Sequence, residues 1–203
     1  MDMMRCAALL LVLHTLSACS QPAHEPLGDS GESEVLAATP VIRPLSTIID
    51  SLKIDARSIG FKVHKAQRRF EVLSRGRVLK SYPCVLGEVP IGDKLHQGDR
   101  RTPEGTFTFR SKRVHAQWHK FIWVDYPNAE SWRRFNERKT RGLIPRGKDI
   151  GGEIGIHGVP DGMDHWVDSG ADWTWGCIAL KNADVDEIYP LIIPERTWME
   201  VVP

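Results

Sequence analysis

The chain has 203 residues, 41% hydrophobic and 26% charged, with 27 basic residues against 26 acidic ones and a formal net charge of +1. That length supports one globular domain with a sizeable core and room for an extension. The composition excludes a disordered charged tail, a collagen-like chain and a multi-span membrane protein, and the charge balance provides no overall field to attract nucleic acid.

Residues 1–18 open with Met1-Asp2-Met3-Met4-Arg5 and continue into the apolar run Cys6-Ala7-Ala8-Leu9-Leu10-Leu11-Val12-Leu13. At about 1.5 Å per residue this run cannot cross a hydrocarbon layer of roughly 30 Å, but it suits a signal-peptide core of about 7–15 residues. Leu16-Ser17-Ala18-Cys19 then resembles the lipobox of bacterial lipoproteins. The resemblance implies that Cys19 becomes a lipidated N-terminus with more than one acyl chain, as stable anchoring requires. With Ser20 following, it also implies export to the outer membrane of a diderm cell, facing the periplasm. Cleavage of an ordinary signal near Ala18 is the alternative. Of four cysteines, Cys84 and Cys177 then remain, too few for a disulfide scaffold. Either they pair or one is kept as a reactive thiol.

Residues 19–47 carry Pro22, Pro26, Gly28, Ser30, Gly31, Ser33, Pro40 and Pro44 with little apolar period, and read as the lipidated N-terminus and a flexible tether. The domain is expected over residues 48–203. Residues 48–59 suggest a short helix. Strands are expected over 61–65, 70–73, 78–86, 106–109, 121–124, 153–157 and 197–202, with Arg75-Gly76-Arg77 as a turn. Ala129–Arg141 reads as a polar helix, and Asn182 as the N-cap of a helix whose apolar face is Val185, Ile188, Leu191 and Ile192. Many short strands and few helices make a mainly β domain.

The chemistry converges on two residues. Cys177 lies in Thr174-Trp175-Gly176-Cys177, where the glycine permits a tight turn and adjacent N–H groups can face an oxyanion. His157 ends the apolar segment Ile154-Gly155-Ile156-His157-Gly158, and an imidazole beside a thiol can take its proton. From spacing alone, a buried cysteine and a structural histidine account for these residues better than a nucleophilic pair.

Two blocks change that weighting. Ile156-His157-Gly158 followed by Thr174-Trp175-Gly176-Cys177 resembles the His…Ser/Thr-His-Gly-Cys signature of the L,D-transpeptidase (YkuD-type) catalytic domain, and Gly98-Asp99-Arg100-Arg101-Thr102-Pro103-Glu104-Gly105-Thr106-Phe107 resembles a second segment of it. The strand pair ending Tyr82-Pro83-Cys84-Val85-Leu86-Gly87 agrees, and the similarity, nearest the YafK-like branch, spans about residues 60–194. The resemblance implies a β-sandwich or barrel-like catalytic domain with a few short helices. It implies Cys177 as nucleophile, His157 as acid and base, Gly176 at the oxyanion, the Gly158 carbonyl orienting the imidazole, and Thr174 and Trp175 beside the substrate. The substrate would be a peptidoglycan tetrapeptide stem, with an amine, a wall-attached protein or water as acceptor, and no metal or organic cofactor. Two positions depart from the pattern: Trp175 stands for the usual histidine, and Ala179 for a frequent arginine that would supply a bidentate carboxylate partner.

Other candidates are weaker. His115 and His119 flank Trp118 without the glutamate of a zinc-peptidase motif. Cys84 reads as core, and the run from Arg133 to Lys148 as a solvated basic face or a contact for anionic wall polymer. Trp166, Trp173 and Trp175 serve either as core or as groove wall. Asp161, Asp164, Asp168 and Asp172 read as loop, because the glycine and glutamate spacing of a calcium site is missing. Beside the transpeptidase stand three other readings: an L,D-carboxypeptidase or peptidoglycan hydrolase with the same Cys/His pair, a zinc peptidase, and a non-catalytic wall-binding lipoprotein.

Overall fold

The computed structural model describes residues 43–203. The signal segment, Cys19 and most of the expected tether lie outside the described residues. Within them the fold is mainly β, with two mixed sheets and a few short helices.

The chain enters through α1 (Leu45–Ser51), not the helix expected over 48–59. Its start is fixed from far away: Leu45 is fully buried, and its N–H donates to the Glu187 carboxylate across 142 positions of sequence. Strands β1 (Ile59–His64), β2 (Arg69–Ser74) and β3 (Arg77–Pro83) form a meander. Arg75 and Gly76, both with positive φ, make the two-residue turn between β2 and β3. β1 also pairs in parallel with the last strand, β9 (Met199–Val202), which pairs with β4 (Gly105–Phe107) and completes the first sheet in the order β3-β2-β1-β9-β4.

The second sheet runs β5 (Phe109–His115), β6 (His119–Val124), β7 (Gly155–His157) and β8 (Ile178–Ala179). β5 escapes the apolar pattern because its middle, Arg110-Ser111-Lys112-Arg113, is polar and largely solvent-facing. The sheets close on one core. Phe61 of the first meets Phe109 of the second edge-on at 5.9 Å and Phe70 at 5.3 Å, with Ile122, Ile156 and Ile178 buried in the same cluster. Each such side chain contributes about 1.5–3 kcal/mol on burial.

One expectation breaks usefully. The strand foreseen over 78–86 leaves the first sheet after Pro83 and crosses to the second, where Val85 bridges Ala179 and Gly87 bridges Thr174. Cys84 is thereby carried into the core as a free thiol.

Helix α2 (Ala129–Thr140) starts as expected, with the Asn128 side chain accepting from the Ser131 N–H at 3.0 Å. The short helix α3 (His165–Asp168) was not foreseen. Helix α4 (Asn182–Ile188) corrects the capping expectation: Lys181 precedes it without a side-chain cap, while the Asn182 Oδ1 turns away and accepts from the Val159 N–H at 2.9 Å. That donor, just past β7, needs an acceptor, and the tertiary bond takes precedence over the local cap.

Candidate active site

The turn carrying Cys177 is built from its own residues. The Thr174 Oγ1 donates to the Cys177 carbonyl at 2.7 Å and accepts from the Gly176 N–H at 3.1 Å. The Thr174 backbone is pinned on both sides, donating to the Leu86 carbonyl and accepting from the Glu88 N–H. Gly176 has φ +131°, and a Cβ there would stand 2.8 Å from the Arg101 carbonyl oxygen, so the position tolerates no side chain. Because the Gly176 N–H is committed to Thr174, the Cys177 N–H is the donor left at the nucleophile for a developing oxyanion.

The Gly98–Phe107 block proves to be the scaffold against which this turn rests. The Asp99 carboxylate accepts from the N–H groups of Leu95, His96 and Arg101 and from the Lys94 ammonium, which holds it below the usual carboxylate range despite burial. The Thr102 Oγ1 accepts from the Gly87 N–H at 3.0 Å, while the Thr102 carbonyl and the Glu104 carboxylate hold the buried Lys65 ammonium. The Arg100–Arg101 backbone lies directly against Gly87 and Gly176.

His157 ends β7, opposite Phe121 on β6 and Ala179 on β8. Cys177 lies two positions before Ala179, the β8 residue opposite His157, so the two residues sit on neighbouring segments of the second sheet, the thiol bonded to Glu153 and the imidazole to Gly158. Gly155 makes room for the Phe121 ring, since a Cβ there would stand 2.2 Å from it. The imidazole is 3% exposed and boxed by Trp118 at 5.1 Å, stacked Phe121 at 5.5 Å and Trp173 at 5.8 Å. Its Nδ1 lies 2.7 Å from the Gly158 carbonyl oxygen. A carbonyl only accepts, so Nδ1 carries the proton and Nε2 has a free lone pair, the form required of a base. A side chain at 158 would collide with the Asn182 Oδ1, which keeps this carbonyl close to the ring.

Both groups rest neutral. Burial pushes the His157 pKa down to about 4, only partly opposed by the Gly158 carbonyl. Burial likewise pushes the Cys177 thiol up to about 11, against the Gly155 N–H and the Lys94 charge. The thiol donates to the Glu153 carbonyl at 3.5 Å. Half-buried, it opens on a cleft of about 500 Å³ whose walls include Lys94, Gln97, Arg100, Glu153 and Trp175.

The remaining predicted residues divide clearly. Trp175 is 77% exposed on the cleft rim, Trp173 packs on the imidazole, and Trp166 packs on Trp173. Ala179 is fully enclosed in β8 and offers the cleft no functional group. Cys84 sits in the core with its pKa pushed up to about 12 by burial. His115 and His119 face each other across the β5–β6 hairpin, His119 against the Asp186 carboxylate at 2.6 Å, and no cluster of three or more metal-ligating side chains occurs among the described residues. The basic run is paired in part: Arg134 and Arg138 meet Asp93, and Arg133 meets Glu130 and Glu137, while Lys139, Arg146 and Lys148 have no carboxylate partner among the described residues. Asp172, read as loop, pins the turn instead by accepting from the Leu86 N–H and from Arg68. Sequence reasoning missed Lys94, Glu153 and Trp118. Only Trp118, flanked by two histidines, gave any signal in the sequence.

Removing the Thr174 hydroxyl tests the turn. Thr174→Val leaves the Gly176 N–H and the Cys177 carbonyl without their partner, with an expected loss of about 1–3 kcal/mol in a denaturant titration. Thr174→Ser recovers most of it. Equal stability of the valine variant would show that the hydroxyl does not hold the turn.

The L,D-transpeptidase catalytic domain (YkuD) profile matches residues 60–201. Similar solved structures include Bd1075 from Bdellovibrio bacteriovorus, at 20% identity and TM-score 0.50, covering 71% of this chain and 48% of that one. The helical cell shape determining protein Pgp2 from Campylobacter jejuni follows at 20% identity and TM-score 0.49, covering 77% and 54%, and an L,D-transpeptidase from Mycobacterium smegmatis at 16% and 0.48, covering 72% and 59%. The chain thus spans about half the length of these structures, and at such identities the likeness concerns the fold alone. No curated protein matches the sequence.

Proposed function

Because this chain belongs to the L,D-transpeptidase catalytic-domain family, we propose that it is a cysteine-dependent peptidoglycan L,D-transpeptidase acting on tetrapeptide stems. The observation that carries the reading is a half-buried thiol lining a cleft, two positions before the residue that pairs with His157, whose Nδ1 is tied to a carbonyl. The Cys177 Sγ attacks the carbonyl at the L-centre of diaminopimelate, and its proton passes to the His157 Nε2. The oxyanion is held by the Cys177 N–H. As the C–N bond breaks, His157 returns that proton to the departing D-alanine amine, leaving a thioester on Cys177. An amine acceptor then gives its proton to His157 as it attacks the thioester, a new amide forms and the thiolate leaves, to be reprotonated by the imidazolium. Every proton is accounted for at His157, and no metal or organic cofactor takes part.

Water in place of the amine turns the same intermediate into an L,D-carboxypeptidase or a hydrolase of protein–peptidoglycan links. The signal-like segment and Cys19 support export and a lipid anchor, which would present the domain to the wall from the envelope membrane on the periplasmic side.

Product analysis tests the reading. Incubation with purified tetrapeptide muropeptides is expected to add to Cys177 the mass of the tetrapeptide less one alanine, and an added D-amino acid or second stem is expected to appear in an amide-linked product. Free tripeptide as the sole product in the presence of amine would move the assignment to hydrolysis. Absence of any adduct at Cys177 would overturn it.

A further inference from the structure

Three charged residues line the Cys177 cleft: Lys94, Arg100 and Glu153. The Lys94 ammonium is committed, 2.7 Å from the Asp99 carboxylate with side chains only 3% and 6% exposed. Arg100 is different. It is exposed, and its guanidinium lies 5.9 Å from the centre of the Trp175 ring while its Nη1 meets the Glu88 carboxylate. The ion pair occupies Nη1, and Nε and Nη2 have no acceptor among the described residues. On the neighbouring loop Glu153 uses one carboxylate oxygen for the Trp123 Nε1 at 3.0 Å and leaves the other without a donor among the described residues. Two residues that line the cleft on different loops therefore carry one free cationic edge, on Arg100, and one free anionic oxygen, on Glu153.

We propose that the Arg100 guanidinium and the Glu153 carboxylate together read an α-amino-acid zwitterion on the substrate side chain, its carboxylate on Arg100 and its ammonium on Glu153. The D-centre of diaminopimelate is such a group. The assignment deepens the stem-peptide reading and rests on it. A lone carboxylate on Arg100 would leave the charge of Glu153 unmatched, and a lone ammonium on Glu153 would leave that of Arg100 unmatched. A zwitterion satisfies both edges and adds no net charge. Trp175, where the family pattern has histidine, lies beside the Arg100 guanidinium on the cleft rim. With Ala179 buried, recognition of the carboxylate falls to the cleft rim.

Calorimetry on the full chain carrying Cys177→Ala measures recognition without chemistry. A tetrapeptide stem with a free D-centre is expected to bind about tenfold or more tightly than the same stem with that carboxylate amidated, or than a lysine stem lacking it. A stem ending in D-alaninamide, which alters the other carboxylate, is expected to bind within about twofold of the parent, as befits a cleft that discriminates at the D-centre. Arg100→Ala in this background brings the free stem down to the level of the amide and reduces the ratio to near one. Arg100→Gln, which keeps the aliphatic stem, does the same if truncation disturbs the loop. Discrimination that survives both substitutions, or that follows the D-alanine carboxylate, overturns the proposal. The outcomes also separate the two readings. Discriminating binding without a thioester on intact Cys177 would sink the transfer chemistry alone, and a thioester formed without discrimination would sink only the zwitterion.

Discussion

Cys177→Ala is expected to abolish acyl-enzyme formation with tetrapeptide stems or a carbapenem, while Cys84→Ala leaves it essentially unchanged. The two free thiols of the domain differ in what reaches them. Cys177 opens on the cleft, in a turn that the Thr174 hydroxyl holds in place. Cys84 is sealed between the sheets, where removal of a small sulfur costs about 1 kcal/mol of packing and touches no reacting atom. Intact-mass spectra after incubation with the carbapenem separate the two. An adduct that persists in Cys177→Ala would move the nucleophile elsewhere and dissolve the assignment. Loss of the adduct in Cys84→Ala as well would show that the core thiol supports the turn more tightly than its position suggests.

Much of this site could be read in the sequence, and the reasons it could not all be read are physical. Local rules found β1, β2, α2 and β9, because apolar alternation and a polar helical run are set over a few residues. They missed β5, whose polar middle faces solvent, and ended β3 too late, because what pulls Cys84–Gly87 across to the second sheet is Ala179 and Thr174 almost a hundred positions on. The same distance hid the role of the Gly98–Phe107 block. Its glycine, aspartate and threonine look like chemistry in one dimension but act as a buttress in three, through the Asp99 carboxylate, the Thr102 hydroxyl and a backbone pressed against Gly176. Asn182 failed as a cap for the related reason that a donor next to the imidazole needed it more. Lys94 and Glu153 gave no signal because an isolated charge has no pattern; only the cleft that gathers them makes them part of a site.

The neutral resting pair leads to a pH behaviour opposite to that of a thiolate–imidazolium couple. With the thiol pushed up to about 11, the thiolate fraction at pH 7 is on the order of one in ten thousand, some hundredfold below that of an exposed cysteine. Alkylation of Cys177 by iodoacetamide, followed by peptide mass, is therefore expected to be slow at neutrality and to rise about tenfold per pH unit up to about pH 11. A preformed ion pair would instead give a plateau from mildly acid pH upward. Acylation by substrate runs through His157 and should not share this slope. The imidazole, held down to about 4, is already in its basic form at pH 5, so acylation is expected to be nearly flat from there to about pH 9. His157→Gln is expected to lower acylation by about 10²–10⁴-fold while leaving the slope of alkylation in place, because alkylation draws on thiolate and acylation on the base. The folding equilibrium provides an independent reading of the same burial. An unfolded chain binds a proton at this histidine below about pH 6.5 and the folded one only below about 4, so stability falls as pH drops through that window, by about 3 kcal/mol at most. His157→Gln removes that dependence. An alkylation plateau beginning near pH 5, or a stability curve that the substitution does not flatten, would mean that thiol and imidazole already share a proton at rest, and general-base attack would give way to a standing thiolate.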